Sequence, residues 1–178
     1  MPSPAQKCYE LSQYKVLDYF MTHVVLQIDL TTKPAHSSAQ LTIKPNPNIP
    51  NPAADLRLDG EHMVLTSLKL NGCVLESSAY ELLSDSLIIK NVPRNQEFSI
   101  ETTAILSEST DLFGLYETDG IYLIKAETEG LRRVFYCIDR PDNLATYTTT
   151  IIADQQRYPV LLSNGTLIET KQLPNNSH

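Results

Sequence analysis

Residues 63–75 read MVLTSLKLNGCVL, an apolar-rich run that is divided by an Asn-Gly pair. The pair favours a tight type I′ turn, because both central positions of that turn need a positive φ that asparagine and glycine accept. Apolar runs on either side of such a turn are typical of paired strands. The stretch therefore predicts a β-hairpin that turns at Asn71-Gly72.

Apolar residues also alternate on both sides of this hairpin. Residues 24–30 read VVLQIDL, which places Val24, Leu26, Ile28 and Leu30 on one face of a strand. Further strands are predicted at Ala39–Ile43, Ser86–Lys90 and Phe98–Leu106. Two more hairpins are predicted, one with Asp119-Gly120 between Leu112–Glu117 and Ile121–Thr128, and one with Asn164-Gly165 between Pro159–Ser163 and Thr166–Thr170.

Helical signals are weak by comparison. The best is Arg140–Ala145, where Pro141 would open a single turn from its first position. Residues 44–52 read KPNPNIPNP and predict an exposed loop from Pro45 to Pro52, since prolines remove backbone donors and asparagines favour turns. Turn signals at such short intervals are typical of β-sandwiches and barrels. The sequence therefore predicts one all-β domain with at most one short helix.

The charge of the chain limits its partners. The net charge is −7, and the basic residues are scattered apart from Arg132-Arg133. Binding to phosphate groups needs a clustered basic surface, so neither nucleic acid nor an anionic membrane is expected as a partner. The first residues lack the apolar core of a secretory signal, and no apolar run approaches the about 20 residues that span a bilayer. A cytoplasmic location is therefore expected.

Residues that bind metals or act as nucleophiles are few and far apart. Cys8, Cys73 and Cys137 fit neither a zinc pattern nor a CxxC pair, so reduced, buried thiols are predicted. The histidines lack the HExxH spacing with which two imidazoles share one zinc ion. GxSxG and P-loop motifs are absent as well. Neither a metal ligand nor a catalytic residue is therefore predicted in this chain.

One group of charged residues follows the Asp119-Gly120 turn. If Ile121–Glu129 is a strand, the side chains of Lys125, Glu127 and Glu129 project from one face of it. That face is either solvated, with charge pairs worth about 0–1 kcal/mol, or it presents a carboxylate to a cationic group. The pattern leaves both interpretations open.

A series of short motifs follows in the same part of the chain. The motifs are Glu127-Thr128-Glu129-Gly130, Asp139-Arg140-Pro141-Asp142, Ile151-Ile152-Ala153-Asp154, Tyr158-Pro159 and Leu161-Leu162-Ser163-Asn164-Gly165, with Leu56-Arg57-Leu58-Asp59-Gly60 upstream. In their order they resemble the bacterial aminopeptidase N family. The resemblance begins near Tyr14, so residues 1–13 are interpreted as an N-terminal tail and residues 14–178 as an aminopeptidase N-type β domain.

This resemblance implies a saddle-like β-sandwich of mostly antiparallel strands that packs against a thermolysin-like catalytic domain in the same polypeptide. The parent protein would be a zinc metalloaminopeptidase that removes N-terminal amino acids from peptides. Its HExxH and GAMEN motifs, and with them the zinc ligands, would lie outside this chain. The chain is also expected to end before the last strands of its domain.

The family places a Gln-x-Glu segment at the edge of the substrate pocket, where it contacts the α-ammonium of the peptide or shapes the first specificity pocket. Glu127 stands at the glutamate position and Lys125 at the glutamine position. A lysine there would repel an α-ammonium, since two unit charges about 4 Å apart interact by several kcal/mol in a partly desolvated site. Altered specificity, weak activity and a degenerate site are left open. Glu129, Asp139 and Arg140 are expected to support the segment.

A second function class is compatible with the same sequence. The chain would then be a free-standing or degenerate β-sandwich that binds a partner and performs no hydrolysis. In either class, the predicted hairpin over Leu161–Gln172 would leave a strand edge uncovered. Because such edges pair readily with other chains, self-association of this chain is expected.

Overall fold

The computed structural model describes residues 10–110 and 112–178. Within these residues the chain forms eleven strands and three 3₁₀ helices of three residues each, without an α-helix. The 3₁₀ helices are Leu11–Gln13, Ser77–Ala79 and Leu131–Arg133. The strands are β1 Tyr19–Asp29, β2 His36–Pro45, β3 Leu56–Asp59, β4 Met63–Leu70, β5 Cys73–Val74, β6 Tyr80–Leu82, β7 Ser86–Ile89, β8 Phe98–Leu106, β9 Gly114–Thr118, β10 Ile121–Lys125 and β11 Thr146–Ile152.

Six of these strands form the main sheet, in the order β11-β1-β2-β8-β4-β5. All neighbours in it are antiparallel except β1 and β11, which run parallel. The alternation predicted for β1 is confirmed, since Val24, Leu26 and Ile28 are at most 6% exposed. Along β8 every second residue is buried from Phe98 to Leu106. Period-two burial therefore gives the main sheet one apolar face.

A smaller sheet, with the order β3-β7-β6, packs on that face. Leu58, Leu87 and Ile89 from this sheet are fully buried, in one core with the apolar residues of β1, β2 and β8. The apolar segment Val134–Ile138 joins the same core, and Cys137 within it forms an isolated β-bridge with Asp59. The predicted all-β sandwich is confirmed. Membrane-spanning helices are not found among the described residues.

Two of the predicted turns are confirmed. Asn71 and Gly72 have φ values of 50° and 78° between β4 and β5, as a type I′ turn requires. Asp119 and Gly120 have φ values of 50° and 77° between β9 and β10. These last two strands pair with each other in a sheet of their own.

The hairpin predicted at Asn164-Gly165 is wrong. Gly165 has a φ of +94°, but residues 159–172, all of which the structure describes, contain no strand. Leu162 and Ile168 are 84% and 86% exposed, so both apolar runs lie open to solvent instead of packing on a sheet or core. Without that burial the turn signal does not produce paired strands. The strand edge expected over Leu161–Gln172 is therefore absent, and self-association stays a prediction.

Other local predictions need correction. Residues 140–145 form a turn instead of a helix, because both the side-chain amide and carbonyl of Asn143 bind the backbone of Met21 in β1 and hold the chain there just before β11 begins. The proline-rich loop is not exposed throughout. Asn46 is 2% exposed, and its amide donates to the Leu17 carbonyl at 2.7 Å. The second predicted strand is longer than Ala39–Ile43, since both edges of β2 are paired.

Candidate functional site

Lys125 is the last residue of β10, and the chain turns directly after it. The Gly130 N–H donates to the Ala126 carbonyl at 3.1 Å, and Glu129 has a φ of +61°. A Cβ atom on Gly130 would lie 2.6 Å from the Ala126 Cα, so this close turn needs glycine at that position. The prediction of a strand through Glu129 is therefore wrong, because an i to i−4 turn replaces the extended backbone.

The turn changes how the three charged residues are presented. Lys125 and Glu127 are exposed, whereas Glu129 is half-buried. No hydrogen bond or ion pair joins Lys125 to Glu127 within the part of the chain that the structure describes. The three side chains thus do not share one strand face, but Lys125 and Glu127 are both open to a ligand from solvent.

Arg132 anchors the C-terminal end of this turn. Its Nε donates to Oδ2 of Asp139 at 2.9 Å, its backbone N–H donates to the same oxygen at 3.2 Å, and its Nη2 donates to the Asp139 carbonyl at 3.1 Å. Nη2 also lies 3.8 Å from Oε2 of Glu129. The side chains of Arg132 and Asp139 are only 15% and 9% exposed. The pair is therefore a largely buried, multiply bonded ion pair that fixes the turn to the core.

Asp59 lies beneath this pair. Its Oδ2 accepts from the Asp139 N–H at 3.2 Å, and its backbone exchanges two hydrogen bonds with Cys137. Burial raises the pKa of the Asp59 carboxyl above its usual value, and the Arg132 guanidinium opposes that rise only in part. The Arg132 guanidinium thus interacts with the carboxylates of Asp59, Glu129 and Asp139, which come from three separate stretches of the chain.

Arg133 contacts a different set of residues from Arg132. Its Nε donates to Oε1 of Glu61 at 2.9 Å, and its guanidinium lies 5.0 Å from the centre of the Phe113 ring. A Cβ atom on Gly114, which has a φ of +76°, would lie 2.7 Å from the Arg133 Cβ. Gly114 pairs with Lys125 across the hairpin. Arg133 therefore packs tightly against the strand that faces Lys125.

Arg140, the last of the predicted supporting residues, lies in a different contact network. Its Nη2 lies 2.6 Å from Oδ2 of Asp142, and it also donates to the Lys15 carbonyl at 2.9 Å. Hydrogen bonding from Arg140 lowers the pKa of Asp142, and the Tyr14 hydroxyl donates to the same carboxylate. Arg140 therefore binds the segment before β1 and does not contact the turn at Ala126–Gly130, which we call the glutamate turn.

The two described cysteines are both reduced but differ in exposure. Cys137 is buried, and burial raises the pKa of its thiol well above the usual value. Cys73 is exposed, because it follows the Asn71-Gly72 turn on the short edge strand β5. The prediction of buried thiols is thus confirmed for Cys137 and wrong for Cys73, and Cys8 lies outside the described residues.

We expect iodoacetamide to alkylate Cys73 in the native protein and to leave Cys137 unmodified. Alkylation requires an accessible thiolate, and Cys137 offers neither access nor a low pKa. Mass mapping of proteolytic peptides distinguishes the two sites, with the protein unfolded in urea as the control in which both react. Equal modification rates in the native protein would contradict the burial of Cys137.

Side chains that could ligate a metal ion are dispersed over the fold. Within residues 10–110 and 112–178, no three His, Cys, Asp or Glu side chains are grouped to hold one. The glutamate turn instead presents charged side chains at the surface, on a rigid base. Sequence reasoning singled out the Arg132-Arg133 pair, but it missed the contributions of Asp59 and Glu61, which come from a distant strand and the residues after it.

Comparisons with known proteins agree with the motif series. The family model of the Peptidase M1 N-terminal domain matches residues 12–178. Aminopeptidase N of Haemophilus influenzae is 36% identical over 168 residues, which are 93% of this chain and 19% of that protein. The crystal structure of Legionella pneumophila aminopeptidase A in complex with aspartic acid is 62% identical, with a TM-score of 0.94 over 96% of this chain and 20% of the other.

A more distant structure shares the fold alone. The M1 zinc metallopeptidase from Deinococcus radiodurans is 16% identical, with a TM-score of 0.62 over 76% of this chain and 32% of the other. The chain spans about a fifth of the length of the two aminopeptidases described above. The resemblance to aminopeptidase N is confirmed. This chain belongs to the family of peptidase M1 N-terminal domains.

Proposed function

We propose that this chain is the N-terminal domain of a zinc-dependent aminopeptidase that removes N-terminal amino acids from peptides. The family match supports this, as do relatives named aminopeptidase and a structural neighbour named zinc metallopeptidase. We place the zinc ligands and the catalytic residues in a further domain of the same polypeptide. In this proposal the chain forms part of the substrate pocket wall, does not catalyse alone, and belongs to a cytoplasmic enzyme.

The exposed glutamate turn is the observation that carries this proposal. Glu127 is open to solvent, yet the turn that bears it is fixed by the buried Arg132–Asp139 pair. A carboxylate on a rigid turn can accept hydrogen bonds from a substrate ammonium, and the turn loses little conformational freedom on binding. We assign Glu127 to the α-ammonium of the peptide. Glu129 and Asp139 support the turn through Arg132, and Arg140 supports the segment before β1.

Lys125 adds a positive charge to this pocket wall, two residues from the negative charge of Glu127. Its ammonium would repel the α-ammonium of a peptide, but it would attract a carboxylate on the side chain of the first residue. The Legionella relative, which is 62% identical, was solved in complex with aspartic acid. Of the three interpretations of Lys125, we therefore propose altered specificity, in which the parent enzyme prefers peptides that begin with Asp or Glu.

Replacing Lys125 by glutamine in the full-length protein tests this specificity. We expect kcat/KM for a glutamyl-anilide to fall about 10- to 100-fold, because a hydrogen bond between charged groups contributes about 1.5–3 kcal/mol. The value for an alanyl-anilide should stay constant or rise, since the lysine only repels that substrate. Steady-state kinetics with both anilides gives the ratio, and Lys171→Gln, a change at an exposed lysine paired with Glu169, serves as the matched control.

Two outcomes would contradict these assignments. Equal losses on both anilides would show that Lys125 does not select the side chain. Comparable turnover of free and N-acetylated substrate would exclude recognition of the α-ammonium by Glu127. If the zinc-loaded full-length protein releases no amino acid from any free aminoacyl-anilide, the aminopeptidase proposal itself fails.

A further inference from the structure

The β9–β10 hairpin that delivers Lys125 is separate from the two sheets of the sandwich. Its strands pair with each other and, among the described residues, with no other strand. An isolated two-stranded hairpin is at best marginally stable in water. Leu115 is a buried apolar residue of the hairpin and packs in a small cluster with Ala35 and Leu106. The hairpin therefore needs further contacts to hold a fixed position.

Charged side chains supply those contacts around Glu117 of β9. Lys33 Nζ lies 2.8 Å from one carboxylate oxygen of Glu117, and Arg157 Nη2 lies 2.6 Å from the other. The Glu117 side chain is only 19% exposed. Each oxygen thus has its own cation, and part of the solvent around the carboxylate is excluded. We call Lys33, Glu108, Glu117, Tyr122 and Arg157 the Glu117 cluster.

The two cations come from separate loops of the sandwich. Lys33 lies in the connection between β1 and β2, and Arg157 lies in the turn after β11. The Arg157 N–H donates to Oδ1 of Asp154 at 2.8 Å, and its guanidinium lies 5.2 Å from the centre of the Tyr158 ring. Glu117 therefore joins the hairpin to the sandwich at two points, and the one at Arg157 is itself held by further contacts.

Tyr122 of β10 extends the cluster across the hairpin. It is the register partner of Glu117, and its hydroxyl donates to Oε1 of Glu108 at 2.9 Å. The Lys33 ammonium lies 5.5 Å from the Tyr122 ring and 3.8 Å from Oε1 of Glu108. Both strands of the hairpin are thus bound at the same level. Tyr122 and Lys125 lie three residues apart on β10.

We propose that Glu117 is a positioning residue, which holds the β9–β10 hairpin against the main sheet and thereby fixes Lys125 and the glutamate turn in the substrate pocket wall. This inference rests on the proposed function for the role of Lys125. The binding of the hairpin through Glu117 is independent of that function. The two parts can therefore be tested separately.

The test replaces Glu117 by glutamine in the full-length protein, which removes the charge and keeps the shape. Hydrogen exchange should become about fivefold to tenfold faster in peptides covering residues 114–125, because local opening costs less free energy. Exchange in β2 and β8 should not change. For a glutamyl-anilide, KM should rise about threefold to tenfold and kcat should stay within about twofold, since the chemistry lies elsewhere.

Glu101→Gln is the matched control, because Glu101 pairs with Lys69 at 3.3 Å inside the main sheet and its side chain is 30% exposed. It should leave both the exchange of the hairpin and KM unchanged. Unchanged hairpin exchange in Glu117→Gln overturns the inference, whether or not the protein is an aminopeptidase. Faster exchange with an unchanged KM overturns the positioning role. A wild-type protein without aminopeptidase activity overturns the proposed function, while the exchange result still decides the anchoring.

Discussion

Replacing Arg132 by alanine is expected to lower the free energy of unfolding of this chain by about 3–5 kcal/mol. The Arg132 side chain is 15% exposed, and its guanidinium gives Asp139 two of the hydrogen bonds that keep its buried acceptors satisfied. Without Arg132, the Asp139 carboxyl loses its cationic partner in a site that excludes most water. The Asp59 carboxyl nearby, whose pKa burial already raises, loses its opposing charge as well.

Urea titration of the chain, followed by tyrosine fluorescence, measures this loss. Lys44→Ala is the control, because Lys44 pairs with Glu97 at the surface, where both side chains are more than half exposed. Such pairs contribute about 0–1 kcal/mol. Equal midpoints for Arg132→Ala and Lys44→Ala would mean that the Arg132–Asp139 pair does not stabilise the fold.

Replacing Gly60 by alanine is expected to cost about 2–3 kcal/mol, for a steric reason. A Cβ atom at this position would lie 2.2 Å from Cδ1 and 2.3 Å from Cε1 of Tyr136. Tyr136 is 2% exposed in the main core, so its ring has little space into which it can move. The added methyl group therefore displaces a core side chain instead of filling a gap.

The same urea titration gives this value, and Gly72→Ala is its control. A Cβ atom on Gly72 would meet no other atom within 4 Å, so any loss of stability in Gly72→Ala comes from the φ of +78°. We expect a cost of about 1 kcal/mol there. A Gly60→Ala/Tyr136→Leu double variant should lose less than the sum of its single changes, because the smaller side chain makes room. Strict additivity would argue against a clash with Tyr136.

Local patterns predicted most of the sheets. Phe98–Leu106 was predicted to the residue, because burial on one face of a sheet imposes a period of two on the sequence. Asn-Gly and Asp-Gly fixed two turns, since their φ requirements are local. Asn164-Gly165 carries the same signal without paired strands. A dipeptide determines a turn, but the flanking residues form strands only where they pack on a core. A local sequence pattern does not show whether such a core is available.

The candidate site was predicted less completely. The motif series identified the family and pointed to Glu127, whose role stays a proposal. Alternation suggested a strand through Glu129, whereas the chain turns at Ala126–Gly130 and is held there by Arg132 and Asp139. The Glu117 cluster draws on residues as distant as Lys33 and Glu117, which are 84 positions apart. Contacts between such distant positions leave no periodic signal in one sequence.

The parallel pairing of β1 with β11 has a consequence for how this domain is made. His23 and Thr146 are register partners separated by 123 positions, so the pairing adds heavily to the contact order, which slows folding. At about 5–20 residues per second, a ribosome needs about 6–25 s to synthesise the interval between them. During that time β1 can pair with β2 alone, and its other edge stays open to a nascent neighbour or a chaperone. The last strand of the main sheet is thus also the one that closes this edge.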